Sequence, residues 1–323
     1  MRYVARAARP ARLVYRPIDF GAAMNTGSPG GESPGAGQED PAGEATVLRM
    51  LLGAQLRRLR EAADISAEDA GYEIRASRSK ISRMETGRVG FKLRDIEDLL
   101  TLYGVADEKE RAKVTDLATR SRQPEWWTRY TDILPGWFET YLSLESAAVA
   151  IRSFEAQFVP GLFQTEDYAR AVTRLGHQTA SAKEIERRVG LRLKRQDVLA
   201  RPQPPRIWAV MDEAVPRRPI GGTAVMGAQL RRLVEAARLP GVTLQVVPFA
   251  RGGHAAASGS FSILRFQERD LPDVVYIEQL TSAVYLDQRA DVEHYLEVAD
   301  QLSGEALTPA DAIRLIEQID YET

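Results

Sequence analysis

The sequence predicts a multi-domain protein: an all-α domain of five short helices, followed by an α+β domain with a small sheet. Three observations lead to this expectation. Over residues 46–121 the apolar side chains recur three or four apart in five short runs, each opened by a capping residue or closed by a glycine. Residues 122–142 form an aromatic-rich connector holding Trp126, Trp127 and Trp137, three of the four tryptophans. From residue 143 onward helical runs alternate with short β-branched runs bounded by turn residues. Residues 1–45 are Arg-rich at first and then a Gly/Pro/Ser/Glu mixture without apolar periodicity, and a disordered extension is expected there, with Met24 as the expected start.

In the first domain, Leu52, Leu56, Leu59 and Ala63 follow a 4-3-4 spacing and predict the buried stripe of a helix beginning near Thr46 to Leu48. Ser66 is the expected cap of a second helix, answered by Asp69 as in a capping box, and that helix ends near Ile74. Gly71 is the small residue expected to let it approach its neighbour. Ser77 opens a third helix in which Ile81 and Met84 share one face, and Gly87 supplies the left-handed residue that ends it. Arg78, Ser79, Lys80, Ser82 and Arg83 keep the outward face. Ile96, Leu99, Leu100 and Tyr103 predict a fourth helix from Leu93 ending at Gly104, and Asp107 caps a fifth running to about Arg120.

Charge narrows the function classes. The chain carries a formal charge of −2, so any nucleic-acid surface must be local. Between Arg75 and Arg94 there are seven basic residues against Glu85 alone, a local charge of +6. With no cysteine there is no disulfide framework and no thiol nucleophile, and His177, His254 and His294 are too scattered for a metal motif. No metal or cofactor is expected, and no apolar run approaches the ~20 residues of a membrane helix. A thin helix presenting Arg, Lys and Ser side chains outward fits a major groove and points to double-stranded DNA.

Residues 52–105 resemble the XRE (lambda-repressor-like) helix-turn-helix family. The resemblance rests on Leu56-Arg57…Leu59-Arg60, Ile65-Ser66, Ser77-Arg78-Ser79-Lys80-Ile81-Ser82-Arg83-Met84-Glu85-Thr86-Gly87 and Ile96…Leu99…Tyr103-Gly104-Val105. It implies that Arg78, Ser79, Ser82 and Arg83 face bases. It implies that Lys80 and the loop after Gly87, with Arg88 and Lys92, face phosphates, and that Arg60 and Glu85 form a structural ion pair. The family often has Gln where this chain has Ala67; without it, Ser66 and the backbone amides at that helix start are left to meet the phosphate.

In the second domain, Leu144, Ala147, Ala148, Ile151 and Phe154 predict a helix, interrupted at 158–162. Thr165 caps the next helix, and Ser181 with Glu184 opens a long basic one to about Ala200, expected to be a solvated face. Strands are expected at 206–211, 243–248, 260–266 and 274–278, the last two separated by a turn at Glu268-Arg269-Asp270. Helices are expected at 223–237, 291–302 and 308–319, with Thr308 as cap and Pro309 following it. The aromatic connector is expected to fasten the domains or pack under a loop. Asp212, Glu213, Glu278 and His254, the last on a Gly252-Gly253-His254 loop, are the acid/base candidates. They share no catalytic spacing, so no enzyme is expected.

Segments 159–169, Arg195-Gln196, Asp212-Glu213-Ala214-Val215, 229–233 and 246–249 resemble the uncharacterised C-terminal domain of XRE-type regulators in actinobacteria, the WhiJ-type, antitoxin-like group. The two resemblances cover roughly residues 50 to 320. Together they imply a cytoplasmic transcriptional regulator whose third helix enters the major groove, with the second domain serving dimerisation, a small partner protein encoded nearby, or ligand sensing. The alternative expectation is an antitoxin-like partner-binding protein in which DNA binding is secondary.

Overall fold

The computed structural model describes residues 44–322 apart from 88, 123–124, 257 and 268–270. The expectations for residues 1–43 and for the turn at Glu268-Arg269-Asp270 lie outside the described residues.

The first half is helical throughout, with α1 (Glu44–Ala62), α2 (Ala67–Glu73), α3 (Arg78–Glu85), α4 (Leu93–Leu102) and α5 (Glu108–Arg120). Leu52 and Leu56 of α1, Ile81 and Met84 of α3, and Ile96 and Leu100 of α4 meet in one core. Leu59 and Ala63, at the end of the expected stripe, are only partly buried against it. The caps form as the sequence requires: Ser66 Oγ accepts from Asp69 N (3.1 Å), Ser77 Oγ from Lys80 N (3.2 Å) and Asp107 Oδ1 from Lys109 N (2.9 Å). The capping box at Ser66 is one-sided, because the Asp69 carboxylate accepts from the Ser66 hydroxyl (2.6 Å). α1 also has a second apolar side, where Val47, Met50 and Leu51 pack into the core of the second half against the following helix.

That helix, α6 (Gly136–Ala147), leads into a domain containing β1 (Ala150–Glu155), α7 (Glu166–Gly176), α8 (Ala182–Arg195), β2 (Arg206–Asp212), α9 (Ala214–Arg217), α10 (Thr223–Ala236) and β3 (Val242–Val247). β4 (Phe261–Arg265), β5 (Val274–Glu278), β6 (Ala283–Leu286), α11 (Arg289–Glu305) and α12 (Pro309–Glu322) complete it. The sheet has six strands in the order β3-β2-β1-β4-β5-β6. β1, β2 and β3 are parallel, whereas β4, β5 and β6 join antiparallel to their neighbours. The four expected strands are all present, and the sheet is larger than expected by β1 and β6.

β1 corrects the expected helix through Phe154. Ile151 and Phe154 lie three apart, which reads as one helix face, but in a strand that spacing puts them on opposite faces. Ile151 joins the core shared with α6, α7, α10 and α12, while Phe154 joins the core under α11. A central strand buried on both sides therefore shows no alternation for the sequence to reveal. β6 has only four residues and lies at the sheet edge, so its pattern is too short to read.

Candidate nucleic-acid interface

The outward face of α3 is built from its inward one. Ile81 and Met84 are each 1% exposed and anchor the helix, leaving Arg78, Ser79, Ser82 and Arg83 exposed on the opposite side. Two close approaches hold α3 in place. A Cβ on Gly71 of α2 would lie 2.7 Å from Ala76 O, and one on Gly53 of α1 would lie 2.5 Å from Met84 O. Only glycine permits both backbone contacts. Gly71 was legible as the small residue between α2 and α3; Gly53, a lone glycine inside an amphipathic helix, was the signal for the second crossing.

Arg60 and Glu85 form the expected ion pair. Arg60 Nε donates to Glu85 Oε1 (2.6 Å), Nη2 to Oε2 (3.0 Å) and Nη1 to Ile65 O (2.8 Å). The side chains are 11% and 8% exposed, and the hydrogen bonds to Glu85 raise the guanidinium above its ordinary pKa despite burial. One residue thus ties α1 both to α3 and to the turn that precedes α2.

The expected phosphate contacts stand differently. Ser66 and Lys92 are exposed. Lys80 is partly held by Asp95 of α4, with Nζ 3.8 Å from Oδ2. Arg88 lies outside the described residues. The turn between α2 and α3 takes Arg75 into the left-handed region (φ 53°), which sends the chain back sharply enough for two short helices to pack.

Comparisons with known proteins divide the chain at the same place. A family described as "Helix-turn-helix domain" matches residues 51–114, from within α1 to within α5 of the five-helix bundle. A family described as "Domain of unknown function (DUF5753)" matches residues 138–318, more than half of the chain. The chain belongs to the DUF5753 family. No curated protein and no solved structure matches it.

In the DUF5753 half, the segments singled out in the sequence bond to one another. Gln229 Nε2 donates to Phe163 O (2.8 Å) while its Oε1 accepts from Thr165 N (2.7 Å). Gln196 Nε2 donates to Gln164 O (2.7 Å), and a Cβ on Gly161 would lie 3.2 Å from the Arg195 guanidinium. Glu213 Oε2 accepts from Phe249 N (2.6 Å). Gln229, Phe163, Gln164 and Glu213 are buried, so these bonds satisfy polar groups of the framework, which explains the residue types without assigning chemistry.

The basic helix α8 is only in part the solvated face its composition suggested: Lys183 and Lys194 are exposed, while most of its arginines find partners. Arg187 Nη2 donates to Asp132 Oδ1 (2.7 Å) and Arg188 Nη2 to Glu184 Oε1 (2.8 Å). Arg195 Nε and Nη2 make 2.8 and 2.7 Å bonds to the Glu145 carboxylate on α6, with the two side chains 8% and 3% exposed. Lys194 pairs with Asp197, and Arg201 donates to the Ser146 carbonyl. Charge counting cannot see partners that come from α6 and from the loop before it.

The aromatic connector packs under its own loop and into the domain. Trp127 is buried with Leu142 and Leu191, and Trp126 Nε1 donates to Ser146 Oγ (3.2 Å). Phe138 stacks on Tyr141, whose ring lies 4.2 Å from that of Tyr276 on β5. Of the acid/base candidates, the structure brings together only Asp212 and His254, with Oδ2 and Nε2 3.7 Å apart. Asp212 Oδ1 accepts from Ala214 N (2.7 Å), and His254 Nδ1 from Ala256 N (3.2 Å). Glu278 ends β5, three strand spacings from β2, or about 14 Å across the sheet. Among the described residues, no group of three or more His, Cys, Asp or Glu is placed to hold a metal ion, and no helix is long and apolar enough to cross a membrane.

Proposed function

We propose that this DUF5753-family chain is a sequence-specific DNA-binding transcriptional regulator of the XRE type, similar to the WhiJ-type regulators of actinobacteria, acting in the cytoplasm as a homodimer. The observation that carries this reading is the exposed row Arg78, Ser79, Ser82 and Arg83 on a helix whose other face is fixed by Ile81, Met84 and the Arg60–Glu85 pair. Arg78 and Arg83 present the forked donors that suit guanine, and the two serines suit either member of a base pair. We assign the phosphate contacts, which set register and salt dependence, to Ser66, Lys80, Arg88 and Lys92. A dimer would place two copies of α3 about 34 Å apart on a pseudo-palindrome. The DUF5753 half supplies dimerisation and sensing, and we assign it no catalysis, since Asp212 and Glu213 already serve backbone amides.

The test is fluorescence anisotropy of the full chain on a duplex from its own upstream region and on a scrambled duplex, over a range of salt. Arg78→Ala should narrow the gap between the two duplexes. Lys92→Ala should weaken both alike and lower the salt slope by about 0.9. If both variants treat both duplexes as the parent does, the groove assignment is wrong.

A second reading, an antitoxin-like protein whose helical bundle mainly grips a protein partner, draws support from Tyr72, which is 87% exposed on α2. Exposed tyrosines are common anchors of protein interfaces. Binding of the small protein encoded next to this gene, lost in Tyr72→Ala while DNA affinity stays equal for all sequences, would favour it over the first.

A further inference from the structure

On the face of the sheet that packs against α6, α7, α10 and α12, the carboxyl-terminal edge is polar. The register pairs Phe154 with Phe261 and Ser262 with Tyr276, so Glu155 of β1, Ser260 before β4 and Glu278 of β5 stand in one row. This is where the parallel half of the sheet meets the antiparallel half, the place where open α/β sheets bind ligands. Arg192 of α8 faces the row, in the electrostatic field of both Glu155 and Glu278. Tyr276, Tyr285 and Tyr168 line the surroundings, and their hydroxyls are already engaged with Glu278, the Trp137 carbonyl and the Val159 amide.

The groups left unused define the ligand. Arg192 is half-buried, and among the described residues its guanidinium makes one long hydrogen bond, 3.5 Å from Gln164 Oε1, with no carboxylate in salt-bridge range. Its neighbour Arg195 is neutralised by Glu145. Glu155 is half-buried beside Ser260, whose hydroxyl oxygen accepts from Ala156 N (3.0 Å), whereas Glu278 is exposed at the rim. One fork of donors without an ion-pair partner therefore lies in the field of two carboxylates. A phosphate dianion would be repelled by those carboxylates, and a simple amine would leave Arg192 unanswered.

We propose that this row binds a small zwitterion of the α-amino-acid type, with its carboxylate on Arg192 and its ammonium between Glu155 and Glu278. The site gives the sensing role proposed above a ligand class and rests on that reading only for its consequence at DNA. Burial pushes Arg192 down to about 10, so it stays charged near neutrality. Burial pushes Glu155 up to about 7, with Ser260, Glu278, Arg192, Arg195 and Tyr168 facing it from β4, β5, α8 and α7. An ammonium beside Glu155 favours its ionised form, so affinity should rise as pH increases through 7.

The experiment is calorimetric titration of the full chain with a panel of the standard α-amino acids, with propionate and ethylamine as single-charge controls. At least one amino acid should bind saturably and neither control should. Loss of a charge-assisted contact in Arg192→Lys, Glu155→Gln or Glu278→Gln should weaken that binding by about tenfold or more. Glu278→Gln lies at the exposed rim and keeps the test available if a buried variant fails to fold. Absence of binding by every amino acid, binding of the controls alike, or binding unchanged in all three variants would overturn the proposal. Binding with no change in DNA affinity would remove the sensing role and leave the site intact, whereas loss of DNA recognition in Arg78→Ala would not affect the titration.

Discussion

Replacing Glu85 with alanine tests how the recognition helix is held. The substitution removes two charge-assisted bonds of 2.6 and 3.0 Å to Arg60 and leaves a guanidinium that is 11% exposed with the Ile65 carbonyl as hydrogen-bond partner and the exposed Glu61 carboxylate 3.7 Å away. Water cannot replace the lost carboxylate at that depth and exposed Glu61 compensates only in part, so the cost lies at the lower end of that for a broken buried pair, about 3 kcal/mol. Arg60→Met should cost a similar amount by stranding Glu85. The double variant Arg60→Met/Glu85→Leu buries no charge and should lose less than either single one, a coupling of at least ~2 kcal/mol. Urea unfolding separates the two halves, because all four tryptophans (Trp126, Trp127, Trp137 and Trp208) lie outside the five-helix bundle, while far-ultraviolet circular dichroism reports every helix. The circular-dichroism midpoint should fall more than the fluorescence midpoint. Single variants that each cost under ~1 kcal/mol and add without coupling would refute the pair's structural role.

Four further outcomes are expected. Gly53→Ala forces a Cβ to 2.5 Å from Met84 O and should destabilise the bundle by about 1–3 kcal/mol in the same urea experiment. Glu145→Gln strands buried Arg195 and should lower stability by about 3 kcal/mol or more, this time with the fluorescence midpoint leading. Arg83→Ala should leave the fold intact and reduce discrimination at one base position by about 1–3 kcal/mol in a competition assay with single-base-substituted duplexes. Glu155 gives a pH signature of fixed sign. Burial raises its folded value from 4.5 to about 7, so the native state holds the proton more tightly and this group's contribution falls as pH rises across that window, by up to ~1.4 kcal/mol per unit. Glu155→Gln should therefore gain stability over the parent as pH rises from 4.5 to 7, measured as the difference between the two unfolding curves.

The five-helix bundle was almost wholly legible because its signals are local. Ser66, Ser77 and Asp107 cap through the amides two or three residues on, and Ile81 with Met84 needs only helical spacing to face inward. The Arg60–Glu85 pair came from family resemblance, since 25 residues separate the partners. Non-local features were less legible. β1 was hidden because burial on both faces erases alternation, and the apolar side of α1 at Val47, Met50 and Leu51 has its partners in another half of the chain. Arg187 and Arg195 of α8 read as part of a solvated run because their carboxylates lie in the loop before α6 and on α6. The same limit hid the Glu155–Ser260–Glu278 row, whose members share a sheet edge only once the strand order is known.

Whether α3 reads sequence is decided by selecting bound duplexes from a randomised library with the full chain. Enrichment of a pseudo-palindrome whose half-sites lie one helical turn, about 34 Å, apart is expected, with the enriched bases changing in Arg78→Ala. Recovery of unenriched sequence, or the same motif from parent and from an Arg78→Ala/Arg83→Ala double variant, would contradict it.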